Sequence, residues 1–457
     1  MSSSVFKSIN PYTQELLAEY PVMDDNRLDQ LISRSAKAFD SWKKTSFSER
    51  SSIMKNVARI LRRDLEKLAT LITREMGKII AEARGEVEKC AMTADYYADH
   101  AEEFLKDEIL PADYTRSFLV YQPLGVVLAI MPWNFPFWQV FRYAAPTLMA
   151  GNTTLLKHAP NVCGAALALE KIFLEAGAPE GVFTTIITDT PAVEKILSSD
   201  LVHAVTLTGS ERAGSSVASL AGRFIKKSVM ELGGSDALII LPDANMKKAV
   251  SVALNSRMLN AGQSCIGAKR YIILREAMPA FMQELTTQWK AMKQGDPFDE
   301  NSTMGPMARL DLVNALEKQI RESEKSGARL ELGGEVNGCN VKPALLLDVK
   351  KGMPAFDEET FGPLAVVITA KDESEAVRLA NDTRFGLGGS IWTEDLDKGT
   401  AIAKQMETGA VFINALVKSD PHMPFGGVKK SGYGRELGRN GILEFVNAKS
   451  IAVQSLK

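Results

Sequence analysis

The spacing of apolar residues changes character along this chain. Over residues 27–42 and 48–79 they recur at three- and four-residue intervals, as with Ile53, Val57, Ile60 and Leu61, then Leu65, Leu68 and Ile72. That period predicts amphipathic helices. Residues 86–105 continue the helical pattern, with Tyr96 and Tyr97 on it. These helices read as scaffold and are assigned no chemistry. At residues 124–131 the pattern becomes a nearly continuous apolar run, Leu-Gly-Val-Val-Leu-Ala-Ile-Met. A strand buried on both faces has this signature. Further strands are predicted at 153–157, 182–187 and 202–208. Helices are predicted at 137–149 and 162–176, the second with Asn161 as its N-cap. The second half repeats the style, with strands at 236–241, 269–274, 364–369, 389–393 and 410–414 and a helix at 246–259. A strand-like segment, 450–453, closes the chain. Strands alternating with helices imply an α/β fold with a doubly wound parallel sheet and right-handed crossovers.

Composition narrows the function classes. A chain of 457 residues is too long for one hydrophobic core, so two or three domains are expected. A net charge of −2 offers no electrostatic grip on nucleic acid or an anionic membrane. The first residues have no apolar stretch like that of a signal peptide, and no apolar run is long enough to span a bilayer. Cys90, Cys163, Cys265 and Cys339 form no C-x-x-C pair, which points to a reduced, cytoplasmic setting. The histidines His100, His158, His203 and His422 are scattered, so no metal site is expected.

Candidate chemistry begins where the first buried strand stops. Pro132-Trp133-Asn134-Phe135-Pro136 holds Asn134 at a strand's carboxyl end, where open α/β sheets place ligands. Its amide is suited to donate to a developing oxyanion. Gly209-Ser210-Glu211-Arg212-Ala213-Gly214 follows another strand and opens a helix, so backbone N–H groups there can approach a phosphate. Glu231 precedes Gly233-Gly234, and 34 residues later Cys265 sits in Asn260-Ala261-Gly262-Gln263-Ser264-Cys265. A thiol nucleophile needs a group to take up and return protons, and a carboxylate can serve. Glu359 and Phe361 lie two residues apart before a strand, facing one side. Each has a bland alternative, since a free Cys is usually a core residue and a turn Asn usually structural. No G-x-S-x-G elbow occurs, which argues against a serine hydrolase.

Taken in order, Pro132-Trp133-Asn134-Phe135-Pro136, Leu156-Lys157, Gly209-Ser210 with Gly214, Glu231-Leu232-Gly233-Gly234, Gly262-Gln263-Ser264-Cys265, Glu359-x-Phe361-Gly362-Pro363 and Pro424-Phe425-Gly426-Gly427 resemble the aldehyde dehydrogenase superfamily over essentially the whole chain. The resemblance implies a Rossmann-type parallel-sheet cofactor domain, an α/β catalytic domain and a small β oligomerisation domain. These would be residues 1–110 with 123–231, then 232–430, then 111–122 with 431–457. It implies that Cys265 attacks the aldehyde, Asn134 and the Cys265 backbone N–H hold the oxyanion, and Glu231 activates the hydrolytic water. Lys157 would meet the adenosine ribose, Gly209 and Ser210 the pyrophosphate, and Glu359 the nicotinamide ribose, with Phe361 and Trp133 nearby. Relatives that transfer the acyl group to coenzyme A generally lack the Glu, so release of the free acid is expected.

Many NAD-preferring relatives carry a Glu where this chain has Pro160. The expectation is NAD as the better cofactor with measurable NADP use, His158 being a candidate phosphate ligand. Within the superfamily the chain is most similar to bacterial succinate-semialdehyde dehydrogenases. There an Arg at the place of Arg142 meets the substrate carboxylate, and a guanidinium can pair with it bidentately. Ser419 or Lys418 would assist, and Phe425 would line the site. Glutarate semialdehyde or an aliphatic aldehyde is the alternative substrate. Leu259 replaces a second Arg of some relatives. Tyr143 replaces a Lys that many relatives carry beside the catalytic Glu. Gly267 replaces the second Cys of a Cys-x-Cys switch. The implied assembly is a homodimer or homotetramer.

Overall fold

The computed structural model describes residues 5–455. Two large sheets organise the chain. The first is six-stranded, in the order Gly432–Tyr433, Lys227–Glu231, Val202–Thr208, Val126–Met131, Thr153–His158 and Phe183–Thr185. All its neighbours are parallel except the short Gly432–Tyr433, which runs antiparallel to Lys227–Glu231. Alternation along the central strand explains its double burial. Ala129 and Met131 pack with Val57, Leu61 and Phe141 from helices on one face. Val126 and Leu128 pack with Leu28, Leu31 and Val217 on the other.

The second sheet is seven-stranded, in the order Arg329–Leu332, Ala344–Leu347, Leu364–Ala370, Ala268–Leu274, Asp236–Ile240, Gly388–Trp392 and Ala410–Ile413. It is parallel except for its first strand. Here Ile239 joins a core with Leu316 and Ile320, while Leu238 and Ile240 face Val250 and Leu285. The chain passes from the first sheet to the second between Glu231 and Asp236. A third, antiparallel sheet pairs Val446–Val453 with Arg116–Pro123 and that strand with Glu108–Ile109.

Three details depart from the sequence reading. The helical stretch 48–79 is two helices, Phe47–Arg63 and Leu65–Met76, meeting at Asp64. Strands Lys227–Glu231, Arg329–Leu332 and Ala344–Leu347 were not anticipated; they are short and lack a long apolar run. Asn161 does not cap the next helix. A 3₁₀ turn, Pro160–Val162, carries it past the N-cap position, and Val162 takes that place before Cys163–Glu175. The carboxylate of Glu75 accepts from the N–H groups of Gly164 and Ala165 instead, at 3.0 and 2.9 Å.

Candidate active site

The order of the six-stranded sheet creates a crevice by topology. From Val126–Met131 the chain moves outward to Thr153–His158 and Phe183–Thr185, then returns to the other side with Val202–Thr208. Loops leaving the two strands on either side of this reversal diverge, and ligands bind between them. One loop is Pro132-Trp133-Asn134. The other is Gly209-Ser210, where the Ser210 hydroxyl accepts from Ala213 N–H and caps the helix Glu211–Arg223. Both loops line a cleft of about 420 Å³ together with Cys265, Gly233, Glu359 and Phe361. These last four precede strands of the second sheet, so carboxyl ends of one sheet face amino ends of the other.

Cys265 is partly exposed, whereas Cys90, Cys163 and Cys339 are buried. Its loop is built by hydrogen bonds. Asn260 and Ala261 adopt left-handed φ values of 56° and 51°, strain that the surroundings must hold. The Glu82 carboxylate accepts from Asn260 N–H at 3.0 Å. Gln263 Nε2 donates to Asn260 O at 3.0 Å, and its Oε1 accepts from Ala308 N–H at 2.9 Å. Lys269 Nζ donates to the carbonyls of Ser264 and Cys265 at 2.9 and 2.8 Å. Gly262 must be glycine: its φ is +73° and a Cβ would stand 2.2 Å from Gly362 O.

Asn134 is 3% exposed. Its Nδ2 donates to Gln263 O at 3.0 Å, and its backbone carbonyl accepts from Asn260 Nδ2 at 2.7 Å. An amide carries two N–H groups, so one remains for a ligand. The helix Ile80–Phe104, read as scaffold, supports both loops. Its Glu82 holds Asn260, and its Glu86 accepts from the N–H groups of Phe137 and Trp138 at 2.8 and 3.0 Å, fixing the segment after Asn134. Nothing in the period of that helix signals these partners.

Glu231 ends its strand 2% exposed, and neither carboxylate oxygen has a hydrogen-bond partner among the described residues. Burial, with Glu436 nearby, pushes its carboxyl well above the usual range. Burial likewise pushes the Cys265 thiol up to about 11, against the pull of Arg142 and Lys269. Glu359 accepts from Gly234 N–H at 3.0 Å and lies 3.4 Å from Lys269 Nζ. Trp133 meets Phe361 edge-on, with centroids 5.8 Å apart.

Five of the seven motifs contribute residues to this one cleft, the exceptions being Leu156-Lys157 and Pro424-Phe425-Gly426-Gly427. The family model described as "Aldehyde dehydrogenase family" matches residues 1–451. The chain belongs to the aldehyde dehydrogenase family. A Synechocystis sp. protein named probable succinate-semialdehyde dehydrogenase, NADP(+), is 46% identical over 97% of this chain and 98% of its own length. An Escherichia coli protein named succinate semialdehyde dehydrogenase, NAD(P)+, is 43% identical over 97% of each chain. A crystal structure of succinic semialdehyde dehydrogenase from Streptococcus pyogenes with NADP+ superposes with a TM-score of 0.96 at 40% identity, covering 98% of this chain and 100% of that one.

Not every expected residue of this aldehyde dehydrogenase faces the cleft. Arg142 is no free guanidinium. It is 2% exposed, ion-paired through Nε with Glu436, bonded through Nη2 to Thr208 Oγ1 at 3.2 Å, and covered by the Phe425 ring at 4.5 Å. Two buried charges find their partners in each other, so its charge is already neutralised. Phe425 therefore packs on Arg142. His158 is no phosphate ligand. Nδ1 accepts from Ala159 N–H, Nε2 contacts Pro136 O at 2.8 Å, and burial holds its pKa down near about 4. It is a neutral ring bracing the Asn134 loop. Lys418 pairs with Asp420 at 3.2 Å. Ser419 is buried and meets Trp138 and Lys89, neither of which sequence reasoning singled out. Among the described residues no helix is long and apolar enough to cross a membrane.

Proposed function

We propose that this aldehyde dehydrogenase oxidises succinate semialdehyde to succinate, with NADP as its leading cofactor and NAD accepted. The observation that carries the reading is the single cleft joining Cys265, the Asn134 amide and the Gly209-Ser210 loop, in a chain 46% identical to a relative bearing that activity in its name. The residues fit a dinucleotide. Lys157 is 7% exposed, and its amine has no hydrogen bond to a described residue, as a ribose-binding amine requires. At Gly233 a Cβ would stand 2.3 Å from Glu359 Oε2, so the absence of a side chain leaves Glu359 its place over the loop. The N–H groups opening the helix Glu211–Arg223 suit a pyrophosphate. Pro160 presents no carboxylate to repel a 2′-phosphate, and the named relatives specify NADP(+) or NAD(P)+. These points replace the expected preference for NAD.

In this reading Cys265, which is partly exposed, gives its proton to solvent and its sulfur bonds to the aldehyde carbon. The spare N–H of Asn134 holds the oxygen that becomes negative. A nicotinamide dinucleotide, held by Lys157, Gly209, Ser210 and Glu359, would supply the acceptor for the hydride that leaves that carbon. A thioester then remains on Cys265. Glu231, once its own proton has passed to solvent, takes a proton from water as the water oxygen bonds to the acyl carbon, and the thiolate leaves. The segments 1–110 with 123–231 would hold cofactor, 232–430 would supply the thiol, and the third sheet would join subunits. Ile109, 88% exposed on an edge of that sheet, supports this last assignment.

Initial rates, read as absorbance of reduced nicotinamide, test the proposal with succinate semialdehyde, glutarate semialdehyde and butanal, each with NADP and NAD. Succinate semialdehyde is expected to lead butanal in kcat/KM by roughly 10- to 100-fold, the worth of a charge-assisted hydrogen bond. Equal values for the two would overturn the substrate assignment. A large NAD preference would overturn the cofactor assignment.

A further inference from the structure

If the substrate carries a carboxylate, some cation must receive it, and Arg142 is committed to Glu436. Lys89, on the helix Ile80–Phe104, is in a different state. Its Nζ donates to Ser419 Oγ at 3.1 Å and lies 4.0 Å from the Trp138 ring centroid. No carboxylate is within ion-pair distance of it among the described residues. The nearest acid in the facing loop, Asp420, is already engaged by Lys418 at 3.2 Å and His422 at 2.7 Å. Ser419 Oγ also accepts from Trp138 Nε1 at 2.9 Å. With two donors on its oxygen, the hydroxyl proton is left to donate outward.

We propose that Lys89 and the Ser419 hydroxyl, braced by Trp138, receive the distal carboxylate of the substrate and set specificity for a charged semialdehyde. This rests on the proposed semialdehyde reading and names the group that recognises the charge. The charged and titratable groups around Lys89 are Glu86 and Cys90 on its own helix, Arg142 on the facing helix and Asp420 in the loop. Burial, followed by Arg142, pushes its amine down to about 8, as for an ammonium short of a counter-ion. Trp138 and Arg142 lie one helical turn apart on the helix that leads away from Asn134, and Gln139 beside them lines the cleft. The carboxylate subsite is thereby tied to the oxyanion loop. Lys89 is a specificity residue and not a participant in the chemistry at Cys265.

The test is the ratio of kcat/KM for succinate semialdehyde to that for butanal, in wild type, Lys89→Met, Lys89→Arg and Ser419→Ala. Lys89→Met is expected to lower the ratio roughly 10- to 100-fold, mostly through KM for the semialdehyde. Lys89→Arg is expected to recover most of the loss, which a purely structural role for the ammonium would not produce. Ser419→Ala is expected to lower the ratio by a smaller factor, and keeps the test open should Lys89→Met fold poorly. Lys89→Met and Ser419→Ala ratios equal to wild type would overturn the proposal. A wild-type enzyme indifferent to the carboxylate would instead overturn the substrate reading beneath it.

Discussion

The thiol and the carboxyl proposed to react in turn have opposite surroundings. The Cys265 loop is held from every side: Glu82, Gln263, Lys269 and Asn134 each bond to its backbone or to a group that does. Glu231, more deeply buried than the thiol, has no hydrogen bond to either oxygen among the described residues. A buried ionised carboxylate without partners is costly, so the neutral acid is favoured in the resting enzyme. The difference separates two tasks. A nucleophile must be placed, and misplacement is expensive. A base that acts only after the acyl group has formed must change protonation state, and a carboxyl free of hydrogen bonds is free to do so.

Substitutions can break either half of the contrast. The largest effect is expected from Glu231→Gln, which keeps the shape and removes the base. Steady-state turnover should fall about 10²- to 10⁴-fold, while the first equivalent of reduced nicotinamide still forms. Gln263→Ala attacks the placed half. It deletes the bond to Asn260 O and strands the Ala308 N–H. A loss of about 1–3 kcal/mol in stability and a fall of roughly 10- to 100-fold in kcat are expected, read by thermal unfolding and initial rates. An unchanged kcat would mean that the loop is held without this residue. The smallest effect concerns the resting thiol. With its pKa raised to about 11, the thiolate fraction grows with pH, so alkylation of Cys265 by iodoacetamide in cofactor-free protein should keep accelerating until about pH 11. A plateau below the ordinary value of 9.0 would show that Arg142 and Lys269 outweigh desolvation.

Much of this molecule was legible in the chain, and the reason differs by region. Strands such as Val126–Met131, and Asp236–Ile240 from Ala237 onward, are buried on both faces, which leaves an unbroken apolar run. Lys227–Glu231 begins with Lys and Ser, and its place was hidden even though Glu231 at its end was not. The residues lining the cleft come as compact motifs, because turns and strand ends restrict what fits there. The supporting polar network does not. Glu82 and Glu86 meet Asn260 and Trp138 across 178 and 52 residues, and helical periodicity carries no trace of a distant partner. Lys89 was hidden for the same reason. Arg142 shows the converse: its position drew attention, but only the fold reveals Glu436 against it, 294 residues away.

The most direct measurement is mass spectrometry of the Glu231→Gln enzyme after mixing with succinate semialdehyde and NADP. The account requires one acyl group per subunit, located on the peptide containing Cys265, formed together with one equivalent of reduced cofactor. An acyl group on another residue, or reduced cofactor accumulating at the wild-type rate with no acyl-enzyme, would contradict it.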